Sequence, residues 1–157
     1  PQRTMNAELK AGIIDGGYWI KKPADNTSMV IAYTGVIAPE AMAAWEELIA
    51  DVPGAGLLAI TSADRLYNEW QDKVRSFSSV PSTVEKLLAP LSATATIVSV
   101  CDSHPATLSW LGSVNGHKAQ SLGVTKFGQS GDIPDLFKHY QIDAEAILNA
   151  CARAYMK

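Results

Sequence analysis

Cysteine is scarce in this sequence of 157 residues: only Cys101 and Cys151 occur. Each stands in an apolar run, and neither belongs to a Cys-x-x-Cys motif, so buried, reduced thiols of a cytoplasmic protein are expected. Runs of Lys or Arg are also missing, and the formal net charge is -3. A nucleic-acid partner wants a basic face, so that class is excluded. No apolar stretch approaches the roughly 20 residues of a membrane helix, and no secretory pattern is read at the start. Asn26-Thr27-Ser28 is therefore a chance match to a glycosylation acceptor. His117 and His139 are isolated, without metal-ligand spacing, so no zinc or other metal site is expected. What is present is 47% hydrophobic and 18% charged residues, the balance of a globular chain with one sizeable core. The opening Pro1-Gln2-Arg3, without an initiator Met, suggests a fragment.

Short β-branched runs alternate with helical patterns. After a polar lead-in and one short helical turn through Ile14, Gly16-Gly17 breaks the chain. Tyr18–Ile20 reads as a short strand and Pro23–Asn26 as a turn. Strands are expected at Met29–Tyr33, Leu57–Thr61, Thr96–Val100 and Ala119–Val124. Pro39 and Glu40 suit a first helical turn, with Ala41, Trp45, Leu48, Ile49 and Val52 at helical spacing. A second helix, Asp64 to about Arg75, should turn Leu66, Trp70 and Val74 inward. Ser82-Thr83-Val84-Glu85 is a capping box. One helix is expected from Pro105 to Leu111, stopped by Gly112. Ile133, Leu136, Phe137 and Tyr140 mark another, and Asp143 can cap the last, with Ile147, Leu148, Cys151 and Tyr155 inward.

This alternation predicts a three-layer α/β/α domain with a mostly parallel five-stranded sheet. The continuous apolar strands should be covered on both faces. The strand at Tyr18, followed by only a short turn, should pair antiparallel at an edge. No linker or repeat divides the chain, so residues 1–157 read as one domain with its core from about residue 16.

Three local patterns invite a chemical reading. Gly54-Ala55-Gly56 has the letters of a dinucleotide fingerprint but leaves a helix and enters a strand, so a helix stop is the reading. Gly128-Gln129-Ser130-Gly131 follows a strand and precedes a helix. It is a structural turn first and an anion nest second. Cys101-Asp102-Ser103-His104 ends a strand, where open α/β sheets place ligands. A Cys–His pair would activate a thiolate. Against it, Asp102 or Ser103 serves as a helix cap, and His104 as a surface or interface donor. Trp19, Trp45, Trp70 and Trp110 lie on apolar faces and need only core or interface packing. The strand ends together define a candidate rim of Asp102, His104, Phe127, Gly128 and Gln129.

Three segments taken in order resemble one family. Met29–Gly35 with Glu40-Ala41 is similar to the opening of the transketolase C-terminal domain. Thr61-Ser62-Ala63-Asp64-Arg65-Leu66 with Trp70 is similar to its next segment. Most specific is Leu122–Gly131, followed by Leu136-Phe137, Tyr140 and Ile142-Asp143. Within that family, Asp102–Gly112 resembles the homodimeric pyruvate dehydrogenase type, the decarboxylating first component of a 2-oxo acid dehydrogenase complex.

The resemblance implies a parent enzyme using thiamine diphosphate and Mg, held between other domains across a dimer interface. This chain has neither the family's Gly-Asp-Gly signature nor its glutamate-bearing domain. No catalytic, cofactor-binding or metal residue is therefore transferred to it. The implied role is dimerisation and support beside the remaining domains, with the complex's acyltransferase component met through the parent. Alone, the chain is expected to catalyse nothing. The alternatives are a stand-alone ligand-binding or regulatory module on this fold, and part of a transketolase-type sugar enzyme.

Overall fold

The computed structural model describes residues 4–156. The lead-in Pro1–Arg3 and the terminal Lys157 lie outside them. Five strands form one sheet: β1 (Gly17–Lys21), β2 (Thr27–Thr34), β3 (Gly56–Ile60), β4 (Leu91–Cys101) and β5 (Lys118–Leu122). Their order across the sheet is β1-β3-β2-β4-β5. β3, β2, β4 and β5 run parallel, and β1 pairs antiparallel at the edge. Its partner is β3, not the next strand in sequence, so the turn at Pro23–Asn26 is a crossing and not a hairpin.

Alternation along β2 divides the interior. Met29, Ile31 and Tyr33 face one core, and Val30 and Ala32 the other. Helices α2 (Ala38–Asp51), α7 (Ile133–His139) and α8 (Ala144–Tyr155) cover the first face. The second is covered by α3 (Ala63–Arg75), α4 (Thr83–Leu88), α5 (Ala106–Ser109) and α6 (Leu111–Asn115). Helix α1 (Ala7–Asp15) is longer than the single turn expected and packs beside β1. Its N-terminus is capped by Asn6, whose side chain accepts from the Leu9 N–H at 2.8 Å.

Several local expectations hold for the stated reasons. Gly16 ends α1 in the left-handed region, φ 107°. Glu85 accepts from both the N–H and the hydroxyl of Ser82 at 2.7 Å. Asp143 caps α8 by accepting from the Ala146 N–H at 3.1 Å. A second carboxylate joins it there: Glu40 of α2 accepts from the Ala144 N–H at 2.9 Å. That bond pins the last helix to the first face of the sheet.

Others are corrected. The helix expected from Pro105 to Leu111 is two short helices, and Gly112 does not stop it. Gly112 lies inside α6, where a Cβ would come within 2.7 Å of that of Ala119. The stop is Gly116, φ 74°. Neither Asp102 nor Ser103 caps α5, which begins after Pro105 without a side-chain cap. Val74 and Tyr155 are exposed, 48% and 67%, not inward. β5 is only half covered and ends at Leu122, because the Val124 N–H turns away to the Ser103 carbonyl at 2.9 Å.

His117 enters β5 buried, and neither ring nitrogen reaches a hydrogen-bond partner. Burial pushes its pKa below the ordinary value of 6.5, and the Ser92 backbone opposes this without reaching bonding geometry. The unfolded chain protonates first as pH falls, so stability is complete above about 6.5 and declines below it. Urea midpoints should therefore fall between pH 7.5 and 5.5. In His117→Phe that slope should shrink, and stability at pH 7.5 should rise by about 1 kcal/mol. An unchanged slope would remove His117 as its source.

Candidate functional site

The order of the sheet reverses between β2 and β4, since the chain leaves β2 toward β3 and returns on the other side. Ligands of open α/β sheets sit outside the strand ends at such a point. Here those ends are Thr34-Gly35 and Cys101-Asp102. The crevice is filled from within. Gly35 adopts φ 80°, and the Asp102 carboxylate lies directly against it, where any Cβ would collide.

The neighbouring groups are likewise engaged. The Cys101 thiol is buried and donates to the Ser103 carbonyl at 3.3 Å, with the carbonyls of His104 and Leu122 at 3.6 and 3.8 Å. His104 does not face it: Nδ1 accepts from the Ala106 N–H at 3.2 Å. That bond spends this ring nitrogen on shaping the turn. The Ser103 and Thr107 hydroxyls meet at 3.1 Å. Thr61 and Ser62, also at a strand end, hold α1: both N–H groups donate to the Gly16 carbonyl, and the Thr61 hydroxyl donates to Ile13 at 2.8 Å.

Phe127, Gly128 and Gln129 belong to another loop, between β5 and α7. The Tyr140 hydroxyl donates to the Phe127 carbonyl at 3.0 Å, while the Phe127 ring is 97% exposed. Neither Gly128 nor Gly131 has the positive φ of an anion nest. The N-terminus of α7 is already taken by Asp132, which accepts from the Asp135 N–H at 3.1 Å. So the five rim residues divide into Asp102 and His104, buttressing their own turn, and a separate loop.

A diphosphate with Mg does not fit this rim. It would meet the Asp102 carboxylate where it needs amide donors. The second cysteine is no nucleophile either, since burial pushes the Cys151 thiol up to about 12. Both cysteines are free and buried. In the folded protein, neither should react with a thiol reagent over minutes at pH 8, and both should react after unfolding. A fast native reaction would contradict the packing.

Sequence reasoning did not anticipate the cluster of Tyr67 and Trp70 on α3 with Trp110 beside α5. Tyr67 and Trp110 meet edge to face at 5.2 Å, and Trp70 stacks on Trp110 at 5.8 Å. The spacing of three between Tyr67 and Trp70 puts them on one helix face. Their meeting with Trp110 depends on how the helices cross.

The geometry defines a doubly covered α/β domain whose strand ends are closed by their own side chains. The chain belongs to the transketolase-like C-terminal domain family, which matches residues 16–143. Transketolase 1 of Vibrio cholerae is 26% identical over 147 residues, which cover 94% of this chain and 20% of that protein. The same fold occurs in the transketolase of Leishmania mexicana, with a TM-score of 0.66 at 20% identity over 96% of this chain and 19% of that one. It occurs again in the Pichia stipitis transketolase in complex with sedoheptulose-7-phosphate, with a TM-score of 0.62 at 23% identity over 98% and 20%. The chain thus spans about a fifth of the length of these relatives. Among the described residues, no helix is long and apolar enough to cross a membrane.

Proposed function

We propose that this chain is the C-terminal, supporting domain of a thiamine-diphosphate-dependent enzyme of the transketolase type. It holds neither cofactor nor substrate itself. In this reading the cofactor and Mg lie on other domains, and this single domain contributes to a homodimer. The observation that carries the proposal is the closed switch point: Asp102 against Gly35, with the Cys101 thiol and the His104 ring turned to backbone groups. Those side chains shape a turn: the thiol is buried, and the His104 Nδ1 is spent on the Ala106 N–H.

For the substrate, the transketolase relatives support a sugar phosphate. A second reading, pyruvate or another 2-oxo acid passed to the acyltransferase component of a complex, is favoured by the Asp102–Gly112 segment. A cytoplasmic setting is part of the same proposal, supported by the two free, buried cysteines.

The DNA preceding the codon for Pro1, and any companion gene beside it, tests the reading. Coding sequence of several hundred residues with a Gly-Asp-Gly segment is the expected result. Its absence from both places would overturn the proposal. The protein assembled from that sequence then separates the substrates: ketol transfer between sugar phosphates supports the first, and pyruvate-dependent acetylation of a lipoyl domain the second.

A further inference from the structure

A recess of about 370 Å³ opens between α3 and α5, lined by Ala63, Asp64, Tyr67, Ala106, Thr107 and Trp110. That volume lies in the lower part of the range for specific small-group sites, roughly 300–1,000 Å³. Two alanines leave the space, and two aromatic rings wall it. The Trp110 indole is locked, since its Nε1–H donates to the Thr107 carbonyl at 2.9 Å and Trp70 stacks behind it at an interplanar angle of 20°. Tyr67 meets it edge to face at 70°, so the two rings form one continuous aromatic side of the recess, and Tyr67 is 39% exposed.

The one charged lining residue is Asp64. Its carboxylate is held in place by the Ser62 hydroxyl at 2.6 Å. That hydrogen bond, aided by the Arg65 N–H, keeps its pKa below the ordinary carboxylate value, so it is ionised at neutral pH. A locked indole beside an ionised carboxylate suits a cation that can stack and donate a charge-assisted hydrogen bond at once. A planar guanidinium does both, whereas an ammonium cannot stack. Among the described residues, the cation–π contact found is Lys21 over Trp45, on the opposite face of the sheet. Asp64 is in none of the ion pairs among the described residues, so the recess has complementary charge to offer a partner.

We propose that this recess receives an arginine side chain of a partner polypeptide. It goes beyond the supporting role proposed above, and it does not depend on the enzyme's substrate.

The test titrates N-acetyl-arginine amide into the chain and follows the Trp110 indole N–H by nuclear magnetic resonance. A saturable shift in the millimolar range is expected. The lysine analogue should bind more weakly, and the neutral citrulline analogue should not saturate. Asp64→Asn should weaken arginine binding by about fivefold, and its otherwise unchanged amide spectrum would show that the fold is retained. Tyr67→Leu, on the exposed wall, should weaken it as well. No saturation, equal binding of citrulline or lysine, or unchanged affinity in a folded Asp64→Asn would each overturn the proposal. None of these outcomes bears on whether the chain serves a transketolase-type enzyme, which the upstream coding sequence decides.

Discussion

Gly123→Ala is expected to destabilise the chain by about 3 kcal/mol, the upper range for overpacking against rigid neighbours. A Cβ at Gly123 would lie 2.5 Å from the Ser103 carbonyl oxygen and 2.8 Å from the Pro105 nitrogen. Both are backbone atoms of the turn that carries Asp102 and His104, so no side-chain rotation relieves the contact. The same carbonyl of Ser103 also accepts from the Val124 N–H and from the Cys101 thiol. Pushing it away breaks the end of β4 from the end of β5. Guanidinium denaturation measures the loss, and opening of the turn should make the Cys101 thiol reactive. A stable Gly123→Ala variant with a silent Cys101 would show that the rim is looser than described. Gly128→Ala provides the contrast: nothing lies within 4 Å of a Cβ there, so its cost should stay within about 0.5 kcal/mol.

Ile31→Ala should cost about 3 kcal/mol or more, through lost burial and the cavity left behind. Ile31 is fully buried at the centre of β2, paired with Leu57 on one side and Val98 on the other. At about 3 °C per kcal/mol for a chain of this size, the melting temperature should fall by about 9 °C. Tyr155→Ala, at a position whose helical spacing also predicts burial, should stay within about 0.5 kcal/mol because its ring is 67% exposed. Equal costs for the two would mean that α8 packs differently from the arrangement here.

That pair of residues shows where the sequence is legible. Short continuous apolar runs at Met29–Tyr33 and Leu57–Ile60, bounded by turn residues, read as buried strands, and both are. A capping box or a Gly at a helix end is a local device that acts within a few residues, so Ser82 and Gly16 were readable. Tyr155 lies on the apolar stripe of α8, but the stripe runs past the last residue that the sheet can cover. Val74, in the last turn of α3, is exposed for the same reason. The partner of β1 was not legible either, because pairing with β3 joins residues about 40 apart with nothing local to set it.

The site follows the same division. Asp102, Ser103 and His104 looked reactive as a string of types. Their function depends on what the fold brings to them: Gly35 just after β2 and Gly123 just after β5. Neither approach is encoded near residue 102. The aromatic recess is a clearer case, since Tyr67 and Trp110 are distant in sequence and meet only in the folded chain. The family resemblance reached the architecture correctly, and residues 16–143 match the transketolase-like C-terminal domain. The finer resemblance to pyruvate dehydrogenase remains a proposal resting on one segment.

The central claim is that the strand-end rim supports an enzyme without holding its cofactor. Isothermal titration of thiamine diphosphate with Mg into the isolated chain tests it most directly. The account predicts no heat of binding up to millimolar cofactor and no change in melting temperature. Saturable binding, lost or weakened when Asp102 or Gly35 is altered, would contradict it.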